Sequence, residues 1–357
     1  MENAASSPLD GIRVIDFSRY LPGPFCSLQL AWLGATVHTV EQPPAGDPMR
    51  SVPPFAEDGV SLASHSLMRH KERHLLDLGD DDCRAEALAL CATADVVVES
   101  FRPGVAARLG IGYEQLRETN PRLVYCSLSG YGQTGPWAQV AGHDANYESI
   151  AGLLHGNGPA ERPVLPALPL ADLAGASSAV SAICAALFAR ERTGIGAHLD
   201  IALTESALAW QAHALPAAAD ASSERAGGLL TGALACYGIY ECSDGNFITV
   251  AAIEPKFFAR VCELLDIADR ASLQYDLSQQ HALRDALAQR FATRTAEDWH
   301  TLMATDETCV SRVHPPSDAA QHPQLTAREA VEFLDGNAQI PMPRSPFVID
   351  GQRTDQS

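Results

Sequence analysis

Ile12-Arg13-Val14-Ile15-Asp16-Phe17 is a mostly apolar run typical of a buried strand. A turn is predicted at residues 21–24, a helix over residues 25–33 and a second strand over residues 35–41, with Gly34 ending the helix. Two strands joined by a helix within about thirty residues indicate a β-α-β unit and therefore a parallel sheet.

The same alternation continues along the chain. Further strands are predicted over residues 75–78, 94–99, 123–128 and 199–202, and helices over residues 80–94, 105–109, 113–119, 176–190 and 204–214. Residues 42–66 are predicted to form a loop. The expected fold class is α/β, with an open, Rossmann-like parallel sheet. The glycines near the first turn do not form GxGxxG, so a dinucleotide site of that kind is not expected.

The composition changes after an Ala/Ser/Gly-rich stretch. Strands are predicted at residues 237–241 and 246–252, joined by Ser243-Asp244-Gly245, and helices follow at residues 256–265, 283–292 and 295–304. This pattern indicates a smaller α+β domain. The expected division is a large domain over residues 1–205 completed by residues 325–357, a linker at 206–232, a small domain at 233–315 and a return linker at 316–324.

The net charge of the chain and the spacing of its cysteines argue against several classes of function. The 357-residue chain has a formal net charge of −19, which disfavours binding to nucleic acid or to an anionic membrane. No apolar run approaches the ~20 residues of a membrane span, and residues 1–10 lack a secretory pattern. The nine cysteines are scattered without CxxC pairs, so we expect reduced thiols and a cytoplasmic protein.

Gly142-His143-Asp144-Ala145-Asn146-Tyr147 is the first candidate site, because it lies where a Gly/Pro-rich loop meets a helical pattern. Free N–H groups at a helix start suit a developing oxyanion. A surface histidine and an N-cap aspartate would explain the same residues. Asp172 could likewise be only a helix cap, and Glu254, before a proline-started helix, could be only a solvated carboxylate.

A basic cluster consists of Arg69, His70, Lys71, Arg73 and His74. It is either a solvated edge or a phosphate clamp, since arginine and lysine bind phosphate by charge and hydrogen bonding. Arg102 follows a predicted strand, at the sheet edge where α/β proteins bind ligands. No set of histidine, cysteine and carboxylate residues has the spacing of a metal site, so no metal is expected.

Several segments resemble the class III CoA-transferase superfamily, the carnitine-dehydratase and bile-acid-inducible group. The matching segments are Leu9-Asp10-Gly11-Ile12-Arg13-Val14-Ile15-Asp16, Pro22-Gly23-Pro24, Val98-Glu99-Ser100-Phe101-Arg102-Pro103-Gly104, Arg108-Leu109-Gly110 and Tyr131-Gly132-Gln133-Thr134-Gly135-Pro136. Three further features resemble the α-methylacyl-CoA racemase branch: the Gly142–Tyr147 segment, Asp172 before a Gly-rich helix, and Ala252-Ile253-Glu254-Pro255.

The resemblance implies an acyl-CoA substrate, no cofactor beyond its CoA moiety, and an interlocked homodimer with the active site between the large domain of one chain and the small domain of the other. It also implies the CoA-binding residues, which are Arg69, Lys71, Arg73, Arg102, Arg108, Gln42, Leu76 and Val97. Two positions depart from the racemase pattern. Gln42 replaces an arginine that usually follows the acidic residue ending the second strand, and Leu76 replaces a smaller residue.

Racemisation of a 2-methylacyl thioester needs two acid/base groups on opposite faces of C2. The resemblance gives these roles to His143 and Asp172, with Glu254 orienting His143. The backbone N–H of Asp144 is the expected donor to the enolate oxygen. Two alternatives stay open: a CoA-transferase with Asp172 as nucleophile, and a non-catalytic acyl-CoA-binding protein.

Overall fold

The computed structural model describes residues 7–219, 225–304, 307–334 and 337–354. Contacts divide the chain into two compact units. The first comprises Met1–Leu153, Pro166–Ala212 and Pro323–Ser357, and the second comprises Leu154–Leu165 and His213–His322. Each unit is described by itself.

The strands of the described residues form one parallel sheet and three antiparallel sheets. Their bounds are β1 Arg13–Asp16, β2 Thr36–Glu41, β3 Lys71–Leu75, β4 Val96–Glu99, β5 Val124–Ser129, β6 Ala197–Ala202, β7 Tyr237–Glu241, β8 Phe247–Ala251, β9 Val310–Arg312, β10 Val331–Leu334, β11 Asn337–Pro343, β12 Val348–Ile349 and β13 Gln352–Arg353.

The α-helices lie mostly between consecutive strands. Their bounds are α1 Pro22–Trp32, α2 Leu62–Met68, α3 Asp81–Ala92, α4 Val105–Arg108, α5 Tyr113–Thr119, α6 Asp144–Ala151, α7 Leu153–Gly156, α8 Leu170–Thr193, α9 Leu203–Ala209, α10 Pro255–Leu264, α11 Gln280–Phe291, α12 Ala296–Met303, α13 Pro316–Ala319 and α14 Pro323–Ala327.

The large sheet of the first unit has the order β3-β2-β1-β4-β5-β6, and every neighbouring pair is parallel. This confirms the predicted open, Rossmann-like α/β sheet. Strands β2 and β3 extend the sheet on one side of β1, and β4, β5 and β6 extend it on the other side, so the strand order reverses between β1 and β4. The crevice outside the carboxyl ends of these strands is where doubly wound sheets bind ligands.

Both faces of the large sheet are covered. Along β4, Val96 and Val98 pack into one hydrophobic cluster, and Val97 packs into the cluster on the opposite face. This alternation is the period-two pattern of a strand buried on both sides. Helix α8 adds Ala176 and Ile183 to the first cluster.

Helix α8 is also, among the described residues, the one helix with the length and mean hydropathy (1.6) that a membrane crossing requires. Most of its buried residues belong to the hydrophobic core of the first unit. A buried core helix passes the same composition test, so the helix by itself is weak evidence for a membrane span.

The structure corrects several predicted boundaries. The predicted turn at residues 21–24 contains the start of α1, because proline is tolerated in the first turn of a helix. The third strand is Lys71–Leu75 rather than residues 75–78. The predicted loop at residues 42–66 contains a 3₁₀ turn, Pro48–Ser51, and the start of α2.

The second unit has its own core. Strands β7, β8 and β9 form an antiparallel sheet, and β7 and β8 make the predicted hairpin. Ile248 and Val250 of β8 pack with Phe258 of α10 and Phe291 of α11 in one buried cluster. A strand presenting alternate apolar residues to covering helices explains why this segment forms an α+β unit.

Candidate active site

A cavity of roughly 380 Å³ lies in the first unit, next to the carboxyl ends of β1, β4 and β5. Its lining includes two cations, three aromatic rings, His143 and Asp172: Arg19, Tyr20, Arg102, Tyr131, His143, Tyr147 and Asp172. The structure therefore brings together the two residues predicted to flank the reacting carbon. The location agrees with the crevice that the strand order creates.

His143, rather than Asp144, is the N-cap residue of α6. Its backbone N–H donates to Asn146 Oδ1 at 3.0 Å, and its exposed imidazole packs edge-on against the Tyr20 ring, with 6.2 Å between ring centroids. The Asp144 N–H, at the first helical position, has no acceptor among the described residues. A free N–H at a helix start fits the predicted role of that group as a donor to an oxyanion.

Asp172 lies in the first turn of α8, and its backbone N–H donates to Asp144 Oδ1 at 3.0 Å. Burial, together with the neighbouring charges of Asp144 and Glu148, raises the pKa of Asp172 to about 7. A carboxyl group with this pKa exchanges its proton near neutrality, as an acid/base catalyst must.

Glu148 completes a group of three carboxyl residues with Asp144 and Asp172. It is fully buried, and its Oε1 accepts a hydrogen bond from the Leu170 N–H at 2.9 Å. Burial raises the pKa of Glu148, and the neighbouring Asp144 carboxyl group raises it as well. Glu148 therefore holds its proton more strongly than an exposed glutamate does.

The loop before α6 is held by aromatic packing. The Tyr147 hydroxyl donates to the Gly142 carbonyl oxygen, and the Tyr147 ring meets Tyr131 edge-on at 5.1 Å between centroids. A Cβ on Gly142 would lie 2.7 Å from the Tyr131 hydroxyl and from a Tyr147 ring carbon. Glycine is therefore required here, which fixes the backbone immediately before His143.

A second cavity of the first unit, with a volume of roughly 560 Å³, is lined by basic side chains of the predicted cluster. Arg69, Lys71 and Arg73 line it together with Arg50. The Glu41 carboxylate accepts hydrogen bonds from Arg50 at 2.8 and 2.7 Å and from Arg73 at 3.0 Å. Several arginine and lysine donors in one cavity suit a phosphate ligand, although Glu57 and Asp58 also line this cavity.

Lys71 is anchored inside the protein. Its Nζ donates to the Pro24 carbonyl oxygen at 2.7 Å and to Ser27 Oγ at 2.8 Å, which ties β3 to α1. Burial lowers the pKa of Lys71 to about 8, so the ammonium form still dominates at neutral pH.

The two cavities are linked by the loop after β2. The Asp47 N–H donates to Glu41 Oε2 at 2.9 Å, and the Asp47 carboxylate accepts from the Tyr20 N–H at 3.1 Å. Burial raises the pKa of Asp47 to about 6. Tyr20 lines the first cavity and Glu41 holds the cations of the second, so their positions are coupled through Asp47.

Arg69 has further partners besides the basic cavity, and Arg108, Gln42, Leu76 and Val97 do not line that cavity. Arg69 pairs with Glu332 at 2.7 Å and lies over the Trp32 ring. Arg108 is exposed at the end of α4, and Gln42 is exposed with a side-chain hydrogen bond to Asp77. Leu76 and Val97 are buried in the hydrophobic core, which leaves only their backbone for a ligand contact.

Glu254 belongs to the second unit, where it is the exposed N-cap residue of α10 and makes no side-chain capping hydrogen bond. The sequence predicts that it orients His143, a residue of the first unit, and that pairing stays a prediction.

Sequence reasoning missed Glu148 and Arg50. The spacing of Asp144 and Glu148, four residues apart, places both on one helix face and could have pointed to Glu148. Arg50 lies in a segment predicted as loop, where no periodic signal exists. The sequence also predicts that the protein binds no metal, and this stays a prediction; the structure does place His38, Glu72 and His74 close together.

A model of the family described as CoA-transferase family III matches residues 9–357. Acetyl-CoA:oxalate CoA-transferase of Acetobacter aceti is 33% identical, with 96% of this chain and 90% of that protein covered. Human alpha-methylacyl-CoA racemase is 32% identical, with 96% and 87% covered. The crystal structure of a CAIB/BAIF family protein from Brucella suis superposes with a TM-score of 0.86 at 29% identity, with 98% and 94% covered.

Proposed function

Because the chain belongs to CoA-transferase family III, we propose that it is an acyl-CoA racemase that interconverts (2R)- and (2S)-2-methylacyl-CoA thioesters. The observation that carries this proposal is that His143 and Asp172 line the same cavity. They come from the starts of two different helices, α6 and α8, so they approach the cavity from separate elements. Two independent acid/base groups around one space are what a 1,1-proton transfer needs.

The proposed reaction is a two-base exchange at C2. One group removes the C2 proton, the C–H electron pair passes into the enolate, and the other group protonates C2 from the opposite face. Asp172 suits either role, because its raised pKa of about 7 leaves both protonation states populated near neutrality. His143 is its proposed counterpart, because an imidazole can both accept and donate a proton.

The enolate oxygen needs a hydrogen-bond donor that is present before the reaction begins. The unpartnered Asp144 N–H at the start of α6 is the proposed donor. Removing one such donor from an enzyme typically costs roughly 2.7–4 kcal/mol of transition-state stabilisation. The Asp144 carboxylate has a separate role, since it accepts the Asp172 N–H and thereby positions α8.

The basic cavity is the proposed site for the phosphates of CoA. Arg50, Lys71 and Arg73 supply three cations there, and Arg50 takes over a role that the resemblance had given to an arginine at position 42. Orientation of His143 by Glu254 and assembly as a homodimer are further parts of this proposal.

A CoA-transferase is the second candidate, and Arg102 is the observation that favours it. Arg102 lines the cavity with Asp172, is exposed, and forms no ion pair within the described part of the chain. A free guanidinium there could bind the carboxylate of an acyl acceptor. Asp172 would then attack the thioester carbonyl, expel CoA thiolate and form a mixed anhydride. The thiolate would attack the aspartyl carbonyl of this anhydride, which releases the donor acid as its carboxylate and leaves an aspartyl-CoA thioester. The acceptor carboxylate would take CoA from Asp172 by the same steps in reverse.

One assay separates the two functions. The protein is incubated in D₂O with a single epimer of a 2-methylacyl-CoA, with and without oxalate, succinate or glutarate as acceptor. Racemisation predicts deuterium at C2 together with epimerisation, and neither needs an acceptor. Acceptor-dependent transfer of CoA without C2 exchange would replace the racemase proposal by the transferase. If neither reaction occurs, the protein is an acyl-CoA-binding member of the family.

A further inference from the structure

Three potential metal ligands meet at the edge of the large sheet, away from both cavities described above. They are His38 on β2 and Glu72 and His74 on β3, and their ligand atoms all lie within 4.8 Å of one another. His38 is paired with Glu72 in the parallel register, and His74 is two residues further along β3. Residues two apart on a strand share a face, so the three side chains converge.

The distances match a tetrahedral metal centre. His38 Nδ1 lies 3.1 Å from His74 Nε2 and 3.3 Å from a Glu72 carboxylate oxygen, and His74 Nε2 lies 3.5 Å from the other Glu72 oxygen. Two ligand atoms that are each about 2.0–2.1 Å from Zn²⁺, at the tetrahedral angle, lie about 3.3 Å apart. The separation of the two histidine nitrogens, and the distance from each of them to its nearer Glu72 oxygen, are therefore close to the separations in a tetrahedral site.

A neighbouring carboxylate supports the same arrangement. Glu86 on α3 places an oxygen 4.0 Å from Nδ1 of His74, the ring nitrogen opposite the one that faces the other ligands. A carboxylate beside the second nitrogen favours the tautomer whose Nε2 lone pair is free, as in many zinc–histidine–carboxylate groups. Arg13 is near enough to His38 to interact electrostatically, and the opposite charge of Glu72 counteracts it.

We propose that His38, Glu72 and His74 form a binding site for a divalent transition metal of the zinc type, with the fourth position open to water. Two imidazoles and one carboxylate are a ligand set that favours Zn²⁺ or Co²⁺ over Mg²⁺ or Ca²⁺. The ion ties edge strand β3 to β2. This site does not depend on the proposed acyl-CoA chemistry, because none of its ligands lines the cavity that contains His143.

Cobalt is the most informative probe. The full chain is treated with chelator, dialysed and titrated with Co²⁺ at neutral pH while visible absorption is recorded, and Zn²⁺ is then added as competitor. We expect one equivalent of Co²⁺ with the intense visible bands of a tetrahedral site, displaced by Zn²⁺. Sulfur-to-cobalt charge transfer would show that cysteine thiolates hold the metal and would overturn the proposal, as would the absence of binding.

Variants locate the site. His74→Gln and Glu72→Gln are expected to weaken Co²⁺ binding at least tenfold, and Glu86→Gln roughly tenfold. His281→Gln is the matched control, because this exposed histidine on α11 also lies beside a carboxylate, 3.0 Å from Asp285. Equal affinity in His74→Gln and the parent protein would overturn the assignment.

A second readout uses stability. Because a metal that binds only the folded state raises the melting temperature, Zn²⁺ should raise the Tm of the parent protein and of His281→Gln. It should not raise the Tm of Glu72→Gln. The Glu72 side chain is 63% exposed, so this variant is expected to fold even if a histidine variant does not. An equal Zn²⁺-dependent shift in Glu72→Gln would contradict the proposal.

Discussion

Asp144 Oδ1 accepts the backbone N–H of Asp172 at 3.0 Å, which joins the starts of α6 and α8 by a single hydrogen bond. Since His143 directly precedes Asp144, this contact also fixes the spacing of the two residues proposed to flank C2 of the substrate. The same carboxylate is one of the neighbouring charges that raise the pKa of Asp172. One residue therefore sets both the position and the protonation of the proposed acid/base pair.

Replacing Asp144 by asparagine separates these two effects. Asp144→Asn keeps an oxygen for the Asp172 N–H and removes the negative charge, so we expect the pKa of Asp172 to fall below about 7 while the fold is retained. The measurement is the pH dependence of kcat/KM in both reaction directions. In the direction that uses Asp172 as base, the acid limb should move to lower pH.

Asp144→Ala serves as the contrasting variant. It removes the acceptor as well as the charge, so a loss of roughly 0.5–2 kcal/mol of stability should accompany the change in pH profile. A pH profile for Asp144→Asn identical to that of the parent protein would contradict the proposed electrostatic role.

Glu148 should make stability depend on pH. Its pKa is raised in the folded protein, so the folded state binds more protons than the unfolded state once the pH exceeds the ordinary pKa of glutamate. The stability that protonated Glu148 contributes is fully present below about pH 4 and is lost as the pH rises through the elevated folded pKa. Because glutamine stays neutral, the Glu148→Gln variant does not lose this stability as the pH rises.

We therefore expect Glu148→Gln to raise the Tm by roughly 1–3 °C at pH 8.5 and to change it little at pH 4.5. Glutamine keeps an oxygen for the Leu170 N–H, so the comparison isolates the charge. The exposed Glu118 gives the matched control, Glu118→Gln, which should leave the Tm unchanged at both pH values. A destabilised Glu148→Gln at pH 8.5 would show that the buried carboxylate contributes favourably when ionised.

The apolar elements of the first unit were predictable because their side-chain pattern is local. Residues 94–99 read as a strand from composition alone, and Val96–Glu99 is that strand. Two signals misled. Pro22 and Pro24 are typical of a turn but occupy the start of α1. The charged side chains of Lys71–Leu75 are not typical of a buried strand, because this segment is an edge strand with one face exposed to solvent.

The candidate site was only partly predictable for a different reason. His143 and Asp172 could be named from the resemblance, and the structure places both on one cavity. The three carboxyl side chains of Asp144, Glu148 and Asp172 come together because α6 packs against α8. This contact is non-local, so no periodic pattern in the sequence predicts it. The pairing of Arg50 with Glu41 is likewise made by a loop that has no regular pattern.

Arg50 should act on CoA affinity rather than on chemistry. Arg50→Ala removes one cation from the basic cavity, so we expect the KM for a 2-methylacyl-CoA to rise roughly 10–100-fold with little change in kcat, as for loss of a hydrogen bond to a charged group. The KM for the corresponding pantetheine thioester, which lacks the nucleotide phosphates, should not change. Arg117→Ala, at an exposed arginine paired with Glu114, is the control. Equal effects on both substrates would place the role of Arg50 outside phosphate binding.

His143 distinguishes the two proposed reactions, because Asp172 is needed in both. In a two-base racemase, His143→Ala should lower C2 deuterium exchange and epimerisation by about 10²–10⁴-fold, the usual contribution of a positioned acid/base group. A CoA-transferase that uses Asp172 as nucleophile should keep its transfer rate in the same variant. His155→Ala, at an exposed histidine near the end of α7, controls for loss of an imidazole. Circular dichroism confirms the fold of each variant, so unchanged epimerisation in folded His143→Ala would remove this residue from the mechanism.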